Sequence, residues 1–179
     1  MGKTSFAMNI AVNAARINKG KKVAVFSLEM SCEQLVARML SSEGRISSDQ
    51  LRTGRFEKSQ WRGIHEAAEM LNQIELFIDD TASISLGEMK AKLRRVENLG
   101  LVVIDYLQLM TTNRKDGNRV NEISEITRNL KIMAKELGVP VIPLSQLTRG
   151  PESRTDKRPM MSDLRESGSI EQDADIIIF

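Results

Sequence analysis

Leu-Val-Val-Ile-Asp stands at positions 101–105: four apolar residues in a row, three of them β-branched, closed by a carboxylate. Such a run has no polar alternation, so it reads as a strand buried on both faces. Comparable runs lie on either side of it. Val-Ala-Val-Phe-Ser-Leu at 23–28 and Leu76 to Ile78 read as strands. Val139 to Leu144 reads as another, made irregular by Pro140 and Pro143, and Asp175 to Phe179 begins a further one. Between these runs the apolar spacing becomes helical. Phe6, Ala7, Ile10, Ala11, Ala14 and Ala15 predict a helix over 3–18, ended by Asn18-Lys19-Gly20. Ser31 can cap a helix carrying Leu35, Val36, Met39 and Leu40. Trp61, Ile64, Ala68 and Leu71 mark the next. Residues 84–99 and 120–137 predict two more. Apolar strands alternating with amphipathic helices predict an α/β fold, with a mostly parallel central sheet flanked by helices on both faces.

The chain has 179 residues, enough for one domain, so 1–179 is expected to be a single unit. Its 41% hydrophobic and 28% charged residues suit a soluble globular domain. No apolar run approaches the ~20 residues of a membrane-spanning helix, so no membrane partner is expected. Lys and Arg number 26 against 24 Asp and Glu, a net charge of +2. The chain as a whole is therefore no basic clamp, and any nucleic-acid contact must come from local patches. Cys32 is the one cysteine and His65 the one histidine. That excludes a disulfide framework, a cysteine-cluster zinc site and a multi-histidine metal site. No secretory signal opens the chain, and a reducing cytoplasm is the expected compartment.

Gly2-Lys3-Thr4 opens a predicted helix. Glycine lets backbone fold around phosphate oxygens, lysine neutralises them, and a hydroxyl helps hold Mg²⁺. The helix amides add a partial positive charge. These are the last three positions of G-x-x-x-x-G-K-[ST], without the first five; alone, the tripeptide also fits an ordinary helix start. Asp105, ending an apolar strand, fits the acid that holds the Mg²⁺ water shell beside Thr4, or else a turn residue. Glu29, just beyond the 23–28 strand, could polarise an attacking water or simply complement a helix dipole. Gln146, after the strand of 139–145, fits a γ-phosphate sensor or a polar strand end. Two loops concentrate positive charge. Arg114, Lys115 and Arg119 stand against Asp116 in 111–119. Arg149, Arg154, Lys157, Arg158 and Arg165 stand against Glu152, Asp156 and Asp163 in 147–165. Each loop nets +2, which suits a nucleic-acid backbone or two solvated loops. Neither carries an aromatic for base stacking, which favours backbone contact.

Together, Gly2-Lys3-Thr4, Phe-Ser-Leu-Glu-Met-Ser at 26–31, Val-Ile-Asp-Tyr-Leu-Gln-Leu at 103–109 and Leu-Ser-Gln-Leu-Thr-Arg at 144–149 precede a long run at 156–175, Asp-Lys-Arg-Pro-Met-Met-Ser-Asp-Leu-Arg-Glu-Ser-Gly-Ser-Ile-Glu-Gln-Asp-Ala-Asp. This set closely resembles the C-terminal motor domain of bacterial replicative DNA helicases of the DnaB type, over essentially the whole chain. The resemblance implies a RecA-like P-loop fold and a homo-hexamer. It also implies ATP and Mg²⁺ as cofactors and 5′-to-3′ movement on single-stranded DNA. Primase and a helicase loader are the implied partners. By position it implies that Gly2, Lys3, Thr4, Arg38 and Asp105 bind nucleotide, with Thr4 and Asp105 on Mg²⁺ largely through water. Glu29 is implied as the catalytic carboxylate and Gln146 as the sensor. Arg165, Glu166 and Gly168 are implied to grip DNA. The front of the phosphate loop, the strand before it and the arginine-finger strand are expected to be missing, and slow or absent ATP hydrolysis is expected of the polypeptide as given. The competing readings are a RecA-type recombinase or a related DNA-dependent ATPase without unwinding, and a noncatalytic fragment that binds DNA or a partner.

Overall fold

β-Branched and aromatic runs make buried strands when both faces can be covered, as they are here for the two central strands of the sheet. In the computed structural model, residues 2–111, 119–148, 150, 154–164 and 168–179 are described. Helix α1 spans Lys3–Ile17, strand β1 Lys22–Ser27 and helix α2 Cys32–Glu43. Two helices follow, α3 at Ser48–Thr53 and α4 at Lys58–Gln73, then strand β2 at Leu76–Asp79. Helix α5, Leu86–Leu93, leads to strand β3, Leu99–Asp105. Helix α6, Arg119–Leu137, leads to strand β4, Val141–Pro143, and helix α7 covers Gly168–Asp173. The sheet order is β2-β1-β3-β4, with every pairing parallel.

Alternation along the strands builds two cores. Val23 and Val25 of β1 face the side covered by α1 and α2, where they meet Ala7, Ala11, Leu35 and Met39. Ala24 and Phe26 face the other side, with Met89 and Leu93 of α5 and Ile123, Ile126 and Met133 of α6. Val102, Val103 and Ile104 are fully buried. Each such side chain is worth about 1.5–3 kcal/mol of burial, which makes β3 the spine of the fold. The expected α/β sheet with helices on both faces is what forms. Among the described residues no helix is long and apolar enough to cross a membrane.

Local chemistry explains where the elements begin. Ser31 caps α2 as expected: its hydroxyl accepts from the Gln34 amide at 3.4 Å, and the Gln34 side chain accepts from the Ser31 amide at 3.2 Å. Ser47 and Gln50 repeat that box at α3, a helix whose six residues are too few for apolar periodicity to reveal. The helix expected over 84–99 stops at Leu93, where i→i+3 turns take over (the Arg95 amide donates to the Lys92 carbonyl and the Val96 amide to that of Leu93), and Asn98, with a left-handed φ of 56°, then turns the chain into β3. β4 is shorter than expected. Its Pro143 lacks the N–H that a ladder needs, and β4 stands at the edge of the sheet.

The expected strand over 175–179 does not form. Ile176, Ile178 and Phe179 are exposed, and only Ile177 packs against a core. Strand-forming side chains do not make a strand when no ladder runs beside them.

Helices α2 and α4 cross where Gly44 meets Gly63. A Cβ on Gly63 would lie 2.9 Å from the Gly44 carbonyl oxygen, which is backbone and cannot swing away. Gly63→Ala is therefore expected to lower stability by about 1–2 kcal/mol, although alanine is the better helix former. A urea midpoint equal to or above the parent's would contradict this.

Candidate functional site

In a parallel sheet the carboxyl ends of the strands share one edge, where ligands are bound. The register brings Ser27 of β1 opposite Asp105 of β3, and the Leu28 amide donates to the Asp105 carbonyl at 2.7 Å. Glu29 therefore lies two residues beyond that edge, exposed. The start of α1 faces the same place. Gly2 precedes the helix with φ 103°, a conformation that side chains other than glycine's resist. The first helical residues are Lys3 and Thr4.

The Thr4 hydroxyl donates to Asp105 Oδ2 at 2.6 Å. Asp105 is 2% exposed, and its Oδ1 has no hydrogen-bond partner. Lys3 Nζ is likewise buried without a hydrogen-bond partner, and lies 3.9 Å from the centroid of the Tyr106 ring. Burial holds the Lys3 pKa below the usual lysine range, against the opposing pull of the Asp105 and Glu29 charges. Burial also raises the Tyr106 phenol, assisted by Glu29 and Asp105. Thr4 and Asp105 are thus joined by a hydrogen bond, and the charges of Asp105 and Glu29 both act on Lys3.

Two unsatisfied, oppositely charged atoms in one buried place cost about 1–3 kcal/mol each unless something completes them. A triphosphate would supply acceptors for the ammonium. A hydrated Mg²⁺ would supply donors and charge for the free carboxylate oxygen. Among the described residues no cluster of three His, Cys, Asp or Glu could hold a metal. One hydroxyl and one carboxylate nevertheless suit Mg²⁺, which keeps most of its shell as water and phosphate oxygen. The donor set fits the implied groups.

Arg38 lies apart from this cluster, exposed on α2. It lines an open groove of about 840 Å³ together with Gly2, Ser5, Asn9 and Gln34, so it shares Gly2's side of the site. Gln146 is exposed just past β4, on the same sheet edge as Asp105. Its backbone is held by Gln108, a residue that sequence reasoning missed. The Gln146 amide donates to Gln108 Oε1 at 3.3 Å, and Gln108 Nε2 donates to Ser145 Oγ at 2.8 Å. Tyr106 was missed as well. Both stand in the 103–109 run, but nothing in one sequence says which of its residues reach neighbouring strands.

The basic loops change most. Arg119 is committed inward, donating to the Gln108 carbonyl and pairing with Glu122. Arg154 is paired with Asp163, which is 4% exposed and also accepts from the Met160 amide at 2.8 Å. Glu122 lies outside the 111–119 loop, so the count there overstated the charge free for a ligand, whereas Asp163 had already been set against the cations of its own loop. Lys157 and Arg158 are exposed. Arg114, Lys115, Arg149, Arg165 and Glu166 lie outside the described residues. Gly168 is exposed at the first position of α7.

Comparison with known proteins agrees with this geometry. Residues 1–179 match the DnaB-like helicase C terminal domain. The chain is 54% identical over 183 residues to the replicative DNA helicase DnaB of Geobacillus stearothermophilus, and equally so to the replicative DNA helicase DnaC of Bacillus subtilis (strain 168). Each alignment takes in 100% of this chain and 40% of the relative, so the chain spans well under half the length of these proteins. Among solved structures, one described as an ATPase domain superposes with a TM-score of 0.91 at 39% identity, covering 97% of this chain and 63% of that one. A DnaB-like replicative helicase, described with its interactions with primase, also gives 0.91 at 40% identity, covering 98% and 43%. With a parallel sheet, a Gly-Lys-Thr helix start and a strand-end aspartate in hydrogen-bond contact, the chain has a RecA-like P-loop fold and belongs to the family of DnaB-like helicase C-terminal domains.

Proposed function

We propose that the chain binds ATP with Mg²⁺ at the edge formed by Gly2, Lys3, Thr4 and Asp105, as the motor part of a replicative DNA helicase. The observation that carries this reading is the 2.6 Å bond from Thr4 to Asp105, with Lys3 Nζ and Asp105 Oδ1 left unpaired beside it. In this reading Lys3 neutralises the phosphates, while Thr4 and Asp105 orient the water shell of Mg²⁺. Arg38 binds from the adjoining groove. Glu29, exposed and close enough for its charge to act on Lys3, is the general base for water. Gln146 senses the γ-phosphate, with Gln108 steadying its backbone. In the helicase of which this domain is the motor, hydrolysis drives 5′-to-3′ movement along single-stranded DNA and unwinding, within a homo-hexamer that works with primase and a loader, while the 179-residue chain by itself hydrolyses ATP slowly or not at all. The DNA grip falls to Arg165, Glu166 and Gly168, assisted by the exposed Lys157 and Arg158.

Calorimetric titration of the 179-residue chain with ATP tests the reading at its root. Saturable binding is expected with a Kd on the order of micromolar to millimolar, roughly −8 to −4 kcal/mol, tightened by Mg²⁺. Absence of heat in both Mg²⁺ and EDTA, from a chain shown to be folded, would sink it.

A further inference from the structure

Tyr106 is the one tyrosine of the chain, and it directly follows Asp105 at the end of β3. Its ring carries the Lys3 ammonium at 3.9 Å from the centroid, in a place where that ammonium has no hydrogen-bond acceptor. Close by, Asp105 has one oxygen bonded to Thr4 and one with no hydrogen-bond partner. A buried ammonium near a half-satisfied carboxylate has an obvious alternative, which is to collapse into an ion pair with it. Such a pair would occupy both the cation needed for phosphate and the carboxylate needed for Mg²⁺. The aromatic face offers the ammonium a different seat. A ring quadrupole attracts a cation without accepting the full set of its N–H donors.

Resting on the nucleotide reading of the site, we propose that Tyr106 is a positioning residue. Its ring holds Lys3 off Asp105, keeping the lysine donors open for phosphate oxygens and the Asp105 oxygen open for the Mg²⁺ shell. Tyr106 does this with its π face, so the phenol oxygen is dispensable. It touches the lysine and not the reacting atoms.

The test uses the chain itself, with Tyr106→Leu and Tyr106→Phe. In the ligand-free parent, the ε-methylene protons of Lys3, assigned by their loss in Lys3→Met, are expected upfield of every other lysine, because they lie over a ring. The shift is expected to persist in Tyr106→Phe and vanish in Tyr106→Leu. Affinity for Mg²⁺ with a non-hydrolysable ATP analogue, measured by calorimetry, is expected to fall about tenfold in Tyr106→Leu and to stay within about twofold in Tyr106→Phe, the range of a desolvated cation–π contact. Thermal stability of Tyr106→Leu is expected to hold, because the released ammonium gains Asp105; a residue that only packs would lose stability and spare affinity. Parent-like affinity in Tyr106→Leu would overturn the proposal. So would Lys3 protons unshifted in the parent, a result independent of whether the leucine variant folds. Shifted protons in a parent that binds no nucleotide would instead remove the nucleotide reading, and the role of Tyr106 with it.

Discussion

Lys3→Met is expected to reduce affinity for Mg²⁺–ATP by about 10²–10³-fold while leaving the protein at least as stable. The two halves of this prediction share one cause. The Lys3 ammonium is buried at the start of α1 with no hydrogen-bond acceptor, supported by the Tyr106 ring and the charges of Asp105 and Glu29. Without ligand it is a desolvated cation, and a methionine of similar length removes that penalty. With ligand it meets phosphate oxygens, and losing one partner of a hydrogen-bonded charge pair costs about 2–5 kcal/mol. Calorimetry and a urea titration on the same preparation separate the two effects. A variant that loses stability together with affinity would show that Lys3 serves the fold. Parent-like affinity would show that it serves nothing at this edge.

Asp105→Asn is expected to act on the metal and not on the nucleotide alone. Asparagine keeps an oxygen that can accept from Thr4, so the 2.6 Å contact has a substitute and the end of β3 keeps its shape. What it removes is the negative charge of a carboxylate whose second oxygen has no partner. In the parent, Mg²⁺ is expected to tighten ATP binding by about 10–100-fold, a coupling of about 1.4–2.7 kcal/mol. In Asp105→Asn that enhancement should disappear, so that affinities in Mg²⁺ and in EDTA coincide near the parent's EDTA value. Titrations in both buffers measure it. An undiminished Mg²⁺ effect would mean that Asp105 is a strand-end turn residue and that the metal, if bound, is held elsewhere.

Glu29, Gln108 and Arg154 mark three degrees of readability. Glu29 needed only the rule that parallel strands end on one edge, since its own strand run announced it. Gln108 sits in an equally obvious place, yet its role depends on reaching Ser145 and the Gln146 backbone, 37 and 38 residues away. Arg154 shows the reverse. The charge count set it among five cations against three carboxylates without assigning partners, whereas the fold turns it onto Asp163, nine residues along. Charge totals carry no information about direction, and direction separates an anchoring pair from a ligand contact.

Residue order alone was enough for the α/β class, the burial of β1 and β3, the Ser31 cap and the alignment of Glu29 and Asp105 along one edge. These follow from nearest-neighbour sterics and from the periods of strand and helix, which act over a few residues. Long-range packing was needed for the rest. It decided that Thr4 meets Asp105 across 101 positions and that Tyr106 seats Lys3, while nearer contacts turn Arg119 onto the Gln108 carbonyl and Arg154 onto Asp163. It also decided that 175–179 joins no strand ladder despite its isoleucines. A side chain's partner is set by which elements the folded sheet brings alongside, and no local propensity encodes that.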